Sequence, residues 1–186
     1  MSLLKPTILS LLSLAALLTP PVRAGELGAD CQARITAKLA QLQTWAADSV
    51  IVKAVKARNE NRPAELATLD QDKWKALSIL DPLVRGFTRN DAAAVLKTRK
   101  SGAVTEAFLS AADGTKVAFL TKPTNWSHAG KPKHDAPMSG RTWQGVEEVD
   151  ESTGRRQLQV AVPVLEEGKP IGSLVLGLDL DKLKTE

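Results

Sequence analysis

The stretch RQLQVAVPVL (Arg156 to Leu165), EEGK, PIGSLVLGLDL (Pro170 to Leu180) decides the fold. Two runs rich in Val and Leu flank a Glu167-Gly168 turn signal, which predicts a pair of antiparallel strands. Upstream, Gly145 to Asp150 predicts another strand, closed by Ser152-Thr153-Gly154. Further upstream, Ala103 to Ser110 and Lys116 to Thr121 flank Asp113-Gly114 and predict a hairpin. That makes five antiparallel strands over 103–186.

Before Gly102 the texture is helical. Ile35, Leu39, Leu42 and Ala46 recur at spacings of four, three and four, the period of a helix from Glu26 to about Ala47. The stripe either packs on its own domain or pairs two protomers in a homodimer. Asp48-Ser49 offers a cap for a second helix, Val50 to Asn59. Leu66, Leu69, Trp74 and Leu77 suggest another helical segment. Asp81-Pro82 reads as an N-cap followed by proline at the first helical position, with a break near Asn90-Asp91. Helices first and antiparallel strands second predict an α+β domain, its helical part 25–102 packed on one face of the sheet. Between the second and third strands, Lys122 to Gly140 reads as a long loop rich in Pro, Lys, Gly and His. Its flanking Trp126, Met138 and Trp143 favour an ordered lid, taken as 122–144.

Residues 1–24 have the layout of a cleaved secretory signal: Lys5, an apolar run from Ile8 to Leu18, Pro20-Pro21 and the exit Val22-Arg23-Ala24. The expectation is export to the periplasm. Removing 24 of 186 residues leaves 162, one ordinary domain. Asp30 precedes Cys31 where a lipid-acceptor cysteine needs a small residue, and a lone cysteine forms no internal disulfide. Without Lys5 and Arg23 the formal charge of +4 falls to +2, and basic residues are scattered among acidic ones. Nucleic-acid binding is not expected.

In this order the residues resemble the extracytoplasmic Cache or PDC sensor domains, PAS-like ligand-binding modules of bacterial receptors. The resemblance is carried by Asn59, the Leu69-Asp70 to Trp74 segment, Val104 to Phe108, and Asp113-Gly114. It continues through Trp126, Trp143-Gln144-Gly145, Asp150 to Gly154, Gln157 to Pro163, and Gly168 to Leu178. It implies a long N-terminal helix, a five-stranded antiparallel sheet and a small-molecule pocket between sheet and lid. No output domain follows the closing strand, so the expectation is a periplasmic binding module acting through a partner, a membrane sensor or a transporter. The alternative is a ligand-free module of the same fold that serves protein contacts.

Catalysis is not expected. The histidines, His128 and His134, lie in the lid, and no Gly-x-Ser-x-Gly elbow or His-Glu-x-x-His appears. A metal site from His128, His134 and Asp135 is set aside because loop histidines are more often solvated, and no cofactor is implied. The lid carries the better case. Trp126, Arg141 and Trp143 would set two aromatic walls and a cation around a small anionic or zwitterionic ligand; the competing reading makes the tryptophans core anchors and leaves Arg141 in water. By period-two alternation Glu106 shares a side with Val104 and Phe108, so its carboxylate meets a ligand amine, bonds the lid, or pairs with a nearby cation. Gln159 faces either the pocket or solvent. The candidate ligand-binding set is Trp126, Arg141, Trp143, Glu106, Phe108 and Gln159.

Overall fold

The computed structural model describes residues 27–149 and 154–186. The leader expected over 1–24 and most of the turn expected at Ser152-Thr153-Gly154 lie outside that range. The helical part opens with α1 (Ala29–Ala46) and α2 (Ser49–Glu60), the second capped by Asp48, whose carboxylate accepts from the Val50 amide at 2.8 Å. The single segment expected around Trp74 is two short helices, α3 (Ala64–Ala67) and α4 (Gln71–Ala76). Asp70 restarts the chain between them by accepting from the Lys73 amide at 2.8 Å. Then come α5 (Pro82–Arg89), with Asp81 capping and Pro82 in its first turn, and α6 (Asp91–Arg99), capped by Asn90.

The sheet is built from β1 (Val104–Ala111), β2 (Lys116–Phe119), β3 (Trp143–Gln144), β4 (Glu148–Val149), β5 (Arg156–Glu166) and β6 (Lys169–Asp179). Every pairing is antiparallel, in the order β2-β1-β6-β5-β3, with β4 also on β5. A short α8 (Leu180–Leu183) follows, capped by Asp179. The sheet has six strands where five were expected, because the third is interrupted at Gly145. There the amide of Gly145 donates to the Gln159 carbonyl at 2.8 Å, and the Trp143 ring folds so close that a Cβ on Gly145 would lie 2.8 Å from it. The β5–β6 turn uses left-handed backbone at Glu167 and Gly168.

The two faces of the sheet bury different things. Toward the helices, Ala107, Leu109, Val160, Val162, Leu174 and Leu176 meet Ile35, Leu42, Ala46, Ile51 and Val55 in the larger core. The α1 stripe is therefore spent inside its own domain: Ile35 and Leu42 are fully buried, and Leu39 packs on the same core. Of the two readings of the stripe, the structure shows its packing on its own domain. Asn59 ties α2 to two strands, donating to the Ile171 carbonyl at 2.8 Å and accepting from the Ala112 amide at 2.9 Å.

On the opposite face a smaller core joins Phe108, Phe119, Ala161 and Val175 to Trp74, Val84, Phe87 and Trp126. The lid runs over this face and is more than a loop, because it contains α7 (Pro132–Met138). Pro132 fits the first helical turn, and after Pro137 the amides of Ser139, Gly140 and Arg141 close the end on the carbonyls of Asp135, Pro137 and Ala136. The start of the lid is clamped to α4: Trp74 Nε1 donates to the Pro123 carbonyl at 2.8 Å, and Lys122 Nζ donates to the Trp74 and Leu77 carbonyls at 2.7 and 2.8 Å.

Candidate functional site

Period-two alternation aims Glu106, Phe108 and Ser110 of β1 at the lid. A bulge between Val104 and Glu106 breaks the alternation at its start, so Val104 joins the helix-side core while Glu106 and Phe108 share the lid face. The expectation that Val104 sits beside Glu106 is corrected by that extra residue. Glu106 lies flat across β6 because Gly177 has no side chain: a Cβ there would stand 2.6 Å from Glu106 Cγ.

Two polar groups of residues fill the space between sheet and α7. In the first, half-buried, the ammonium of Lys133 on α7 donates to Gln159 Oε1, and Gln159 Nε2 donates to Glu106 Oε1. A chain of cation, amide and carboxylate thus crosses from lid to sheet. Beside it lies a cavity of about 190 Å³ lined by Lys133, Trp143, Glu148, Gln157 and Gln159 with backbone of Gly145. It is smaller than the roughly 300–1,000 Å³ of ordinary small-molecule pockets. Burial pushes the Lys133 ammonium below its usual range, against the pull of Glu106 and then Glu148.

The second group is buried. Lys116 donates to Ser110 Oγ at 3.1 Å, to the Gly114 carbonyl at 3.3 Å, and to His128 Nδ1. The His128 ring stacks on Phe108 with centroids 4.7 Å apart, and Lys116 Nζ lies 4.8 Å from the same phenyl ring. His134 Nε2 donates to the Ala112 carbonyl at 3.2 Å, so its Nδ1 accepts from Ser173 Oγ at 2.7 Å. Ser173 and Ser110 are paired neighbours on β6 and β1. Burial, and secondarily the charge of Lys133, lowers Lys116 to about 7. Burial, reinforced by Lys116, lowers His128 to about 3. Burial also lowers His134. Both histidines are neutral at pH 7.

The structure gathers Glu106, Phe108, Gln159 and Trp143 under the lid. Trp126 lies apart, 3% exposed, in the aromatic core between Trp74 and Phe87, its Nε1 buried without a partner among the described residues. Arg141 is exposed just beyond α7. The expectation of solvated lid histidines is corrected: His128 and His134 are 3% and 2% exposed, because Lys116 meets the first ring while it stacks on Phe108, and the Ser173 hydroxyl and the Ala112 carbonyl satisfy the second. Among the described residues no cluster of His, Cys, Asp and Glu has metal-holding geometry. Lys133, Lys116 and Glu148 were missed. Lys116 has a legible signal, since it opens a strand whose other residues are apolar; Lys133 has none, because its place depends on a helix that two prolines disguise.

No family model matches this sequence, and no curated protein sequence matches it. Among solved structures it is similar to the ligand-binding domain of the Pseudomonas aeruginosa PAO1 amino acid chemoreceptor PctC in complex with GABA, at 18% identity and a TM-score of 0.41, over 83% of this chain and 59% of that one. It is similar to the sensor domain of the V. cholerae histidine kinase DctB at 17% identity and a TM-score of 0.36, over 82% of this chain and 58% of that one. Against the E. coli DcuS sensor domain the values are 14% and 0.44, over 84% and 96%. The chain thus spans little more than half of the first two domains, 59% and 58%. Among the described residues no helix is long and apolar enough to cross a membrane. These three solved domains are sensor or ligand-binding domains.

Proposed function

We propose that this protein is an exported, periplasmic sensor-type domain that binds a small molecule under its lid and acts through a partner protein, a membrane sensor or a transporter. The observation that carries the reading is the cation-amide-carboxylate chain Lys133–Gln159–Glu106 beside the cavity walled by Trp143. A polar chain of this kind is costly under a lid unless its groups meet partners, and it offers a ligand both signs of charge. Lys133, not the exposed Arg141, is the cation that lines the cavity, Phe108 stacks with His128 beneath the lid, and Trp126 packs in the same core as Phe108. The reading involves no catalysis and no cofactor.

The test is a thermal-shift panel of amino acids, short carboxylates, amines and purines on residues 25–186. A true ligand at 100 times its Kd stabilises by about 2.7 kcal/mol. The second reading, a ligand-free module serving protein contacts, is favoured by one observation: Lys116, His128 and Phe108 fill the deeper half of the space beneath the lid. Silence across the whole panel selects it.

A further inference from the structure

The lid carries its own ammonium group into the site. Lys133 projects from α7 onto the Gln159 side-chain carbonyl, Gln159 is held in turn by Glu106, and Glu148 lines the same cavity. Taken away, Lys133 leaves the Gln159 amide oxygen and the Glu148 carboxylate facing a space of about 190 Å³ beside an indole, with the Glu106 carboxylate behind Gln159. That is a receptor for a cation, with an aromatic wall of the type that attracts one. We infer that Lys133 occupies the place of a ligand's cation, and that the pocket selects a small molecule with a primary ammonium group, which binds by displacing Lys133 from Gln159.

The inference rests on the proposed ligand-binding reading and adds the ligand class and a specificity-determining residue to it. The exchange is close to balanced, which is what makes displacement workable. A half-buried ammonium released to water regains hydration and the rotamer freedom of a long side chain. The incoming ammonium donates to the same amide oxygen and feels the same nearby carboxylates, and its carbon packs against Trp143 in the cavity. A tethered competitor lowers the apparent affinity for the free one by the fraction of molecules in which the site stands open. Removing the tether therefore tightens ammonium binding specifically, whereas a lysine that contacts a ligand anion would act in the opposite direction.

Three probes separate these outcomes: propylammonium, propionate and alanine, titrated by calorimetry into the parent, Lys133→Met, Lys133→Gln, and Lys133→Met combined with Glu106→Gln, each checked for its fold by circular dichroism. The expected result is propylammonium binding about tenfold tighter in Lys133→Met and Lys133→Gln, as for a site freed from an occupant present nine-tenths of the time. Propionate does not tighten, and the gain is erased by Glu106→Gln. Unchanged or weaker propylammonium binding in both single variants overturns the inference, and if propionate or alanine still binds the parent the pocket itself stands. Loss of propionate binding without a gain for propylammonium also overturns it, making Lys133 a direct contact to an anion. If no probe binds any of the four proteins the inference fails, and a silent panel alongside takes the proposed function with it.

Discussion

Glu106 reaches Gln159 only because Gly177 is bare. A Gly177→Ala methyl would meet Glu106 Cγ at 2.6 Å and Thr105 Oγ1 at 2.7 Å, and the flexible carboxylate side chain gives way before the backbone does. Gly177→Ala is expected to cost little stability, on the order of 1 kcal/mol, while detaching Glu106 from Gln159 and weakening any ligand that uses the carboxylate. Denaturant midpoints and probe titrations on the same variant check both halves. Arg141 and Trp126 make the contrasting pair. Arg141 is exposed, so Arg141→Ala should leave unfolding free energy within about 0.5 kcal/mol of the parent. Trp126 packs on Trp74 at 5.1 Å and on Phe87 at 5.7 Å, and Trp126→Ala should cost about 3–5 kcal/mol in urea unfolding. Its unpartnered indole N–H also means that Trp126→Phe loses no hydrogen bond.

Held to the sheet by two neutral histidines, the lid is sensitive to protons. His128 takes up a proton near pH 6.5 in the unfolded chain but only at about 3 in the fold, where burial and then Lys116 oppose the charge. Between those values the unfolded state binds more protons, so this contribution is present above about pH 6.5 and is lost as pH falls toward 3. Lys116 acts in the same direction higher up: its ordinary value of 10.5 falls to about 7 on folding, so stability drops as pH falls from about 10.5 to 7 and stays level below. Urea midpoints are expected to rise from pH 4 to pH 9. Lys116→Met should flatten the alkaline part of that rise and reduce the acid part without removing it, since burial alone still opposes the His128 charge, while a parent whose midpoint is level across the range would show that the lid groups titrate as they do in water. Protection factors for hydrogen exchange at Ala129 to Ser139 should fall in acid before those of the helix-side core, because the titrating groups sit between lid and sheet.

The whole molecule is a sheet with a large core toward the helices and a smaller, partly polar one toward the lid. Leu42 is fully buried between α1 and the sheet, so Leu42→Ala should cost about 2–5 kcal/mol without changing the sedimentation coefficient of the folded fraction. A shift in sedimentation on that substitution would return the stripe to a role between protomers. The division of the sheet also separates stability from recognition: substitutions toward the helices weaken the scaffold, whereas Lys133, Gln159 and Glu106 stand where changes alter the pocket.

Much of this arrangement is local and was readable in the chain. The hairpin of β5 and β6, the α1 period, the caps at Asp48 and Asp81, the break at Asn90, and the α+β order all depend on neighbouring residues, whose chemistry is fixed before the chain folds. Glu106, Phe108, Gln159 and Trp143 were also in view as candidates, since strand alternation and composition mark them. What the sequence left open is every choice that needs a partner distant in the chain: whether Gln159 meets solvent or Glu106, 53 residues away, and whether Lys133 reaches Gln159. Period two breaks at the Val104–Glu106 bulge, a helix hides in a proline-rich lid, and two histidines are buried by groups on β1 and β6. Local preference sets an element's type within a few residues, but a buried charge is placed by the field and hydrogen bonds of the groups packed around it, and those exist only once sheet, lid and helices have come together.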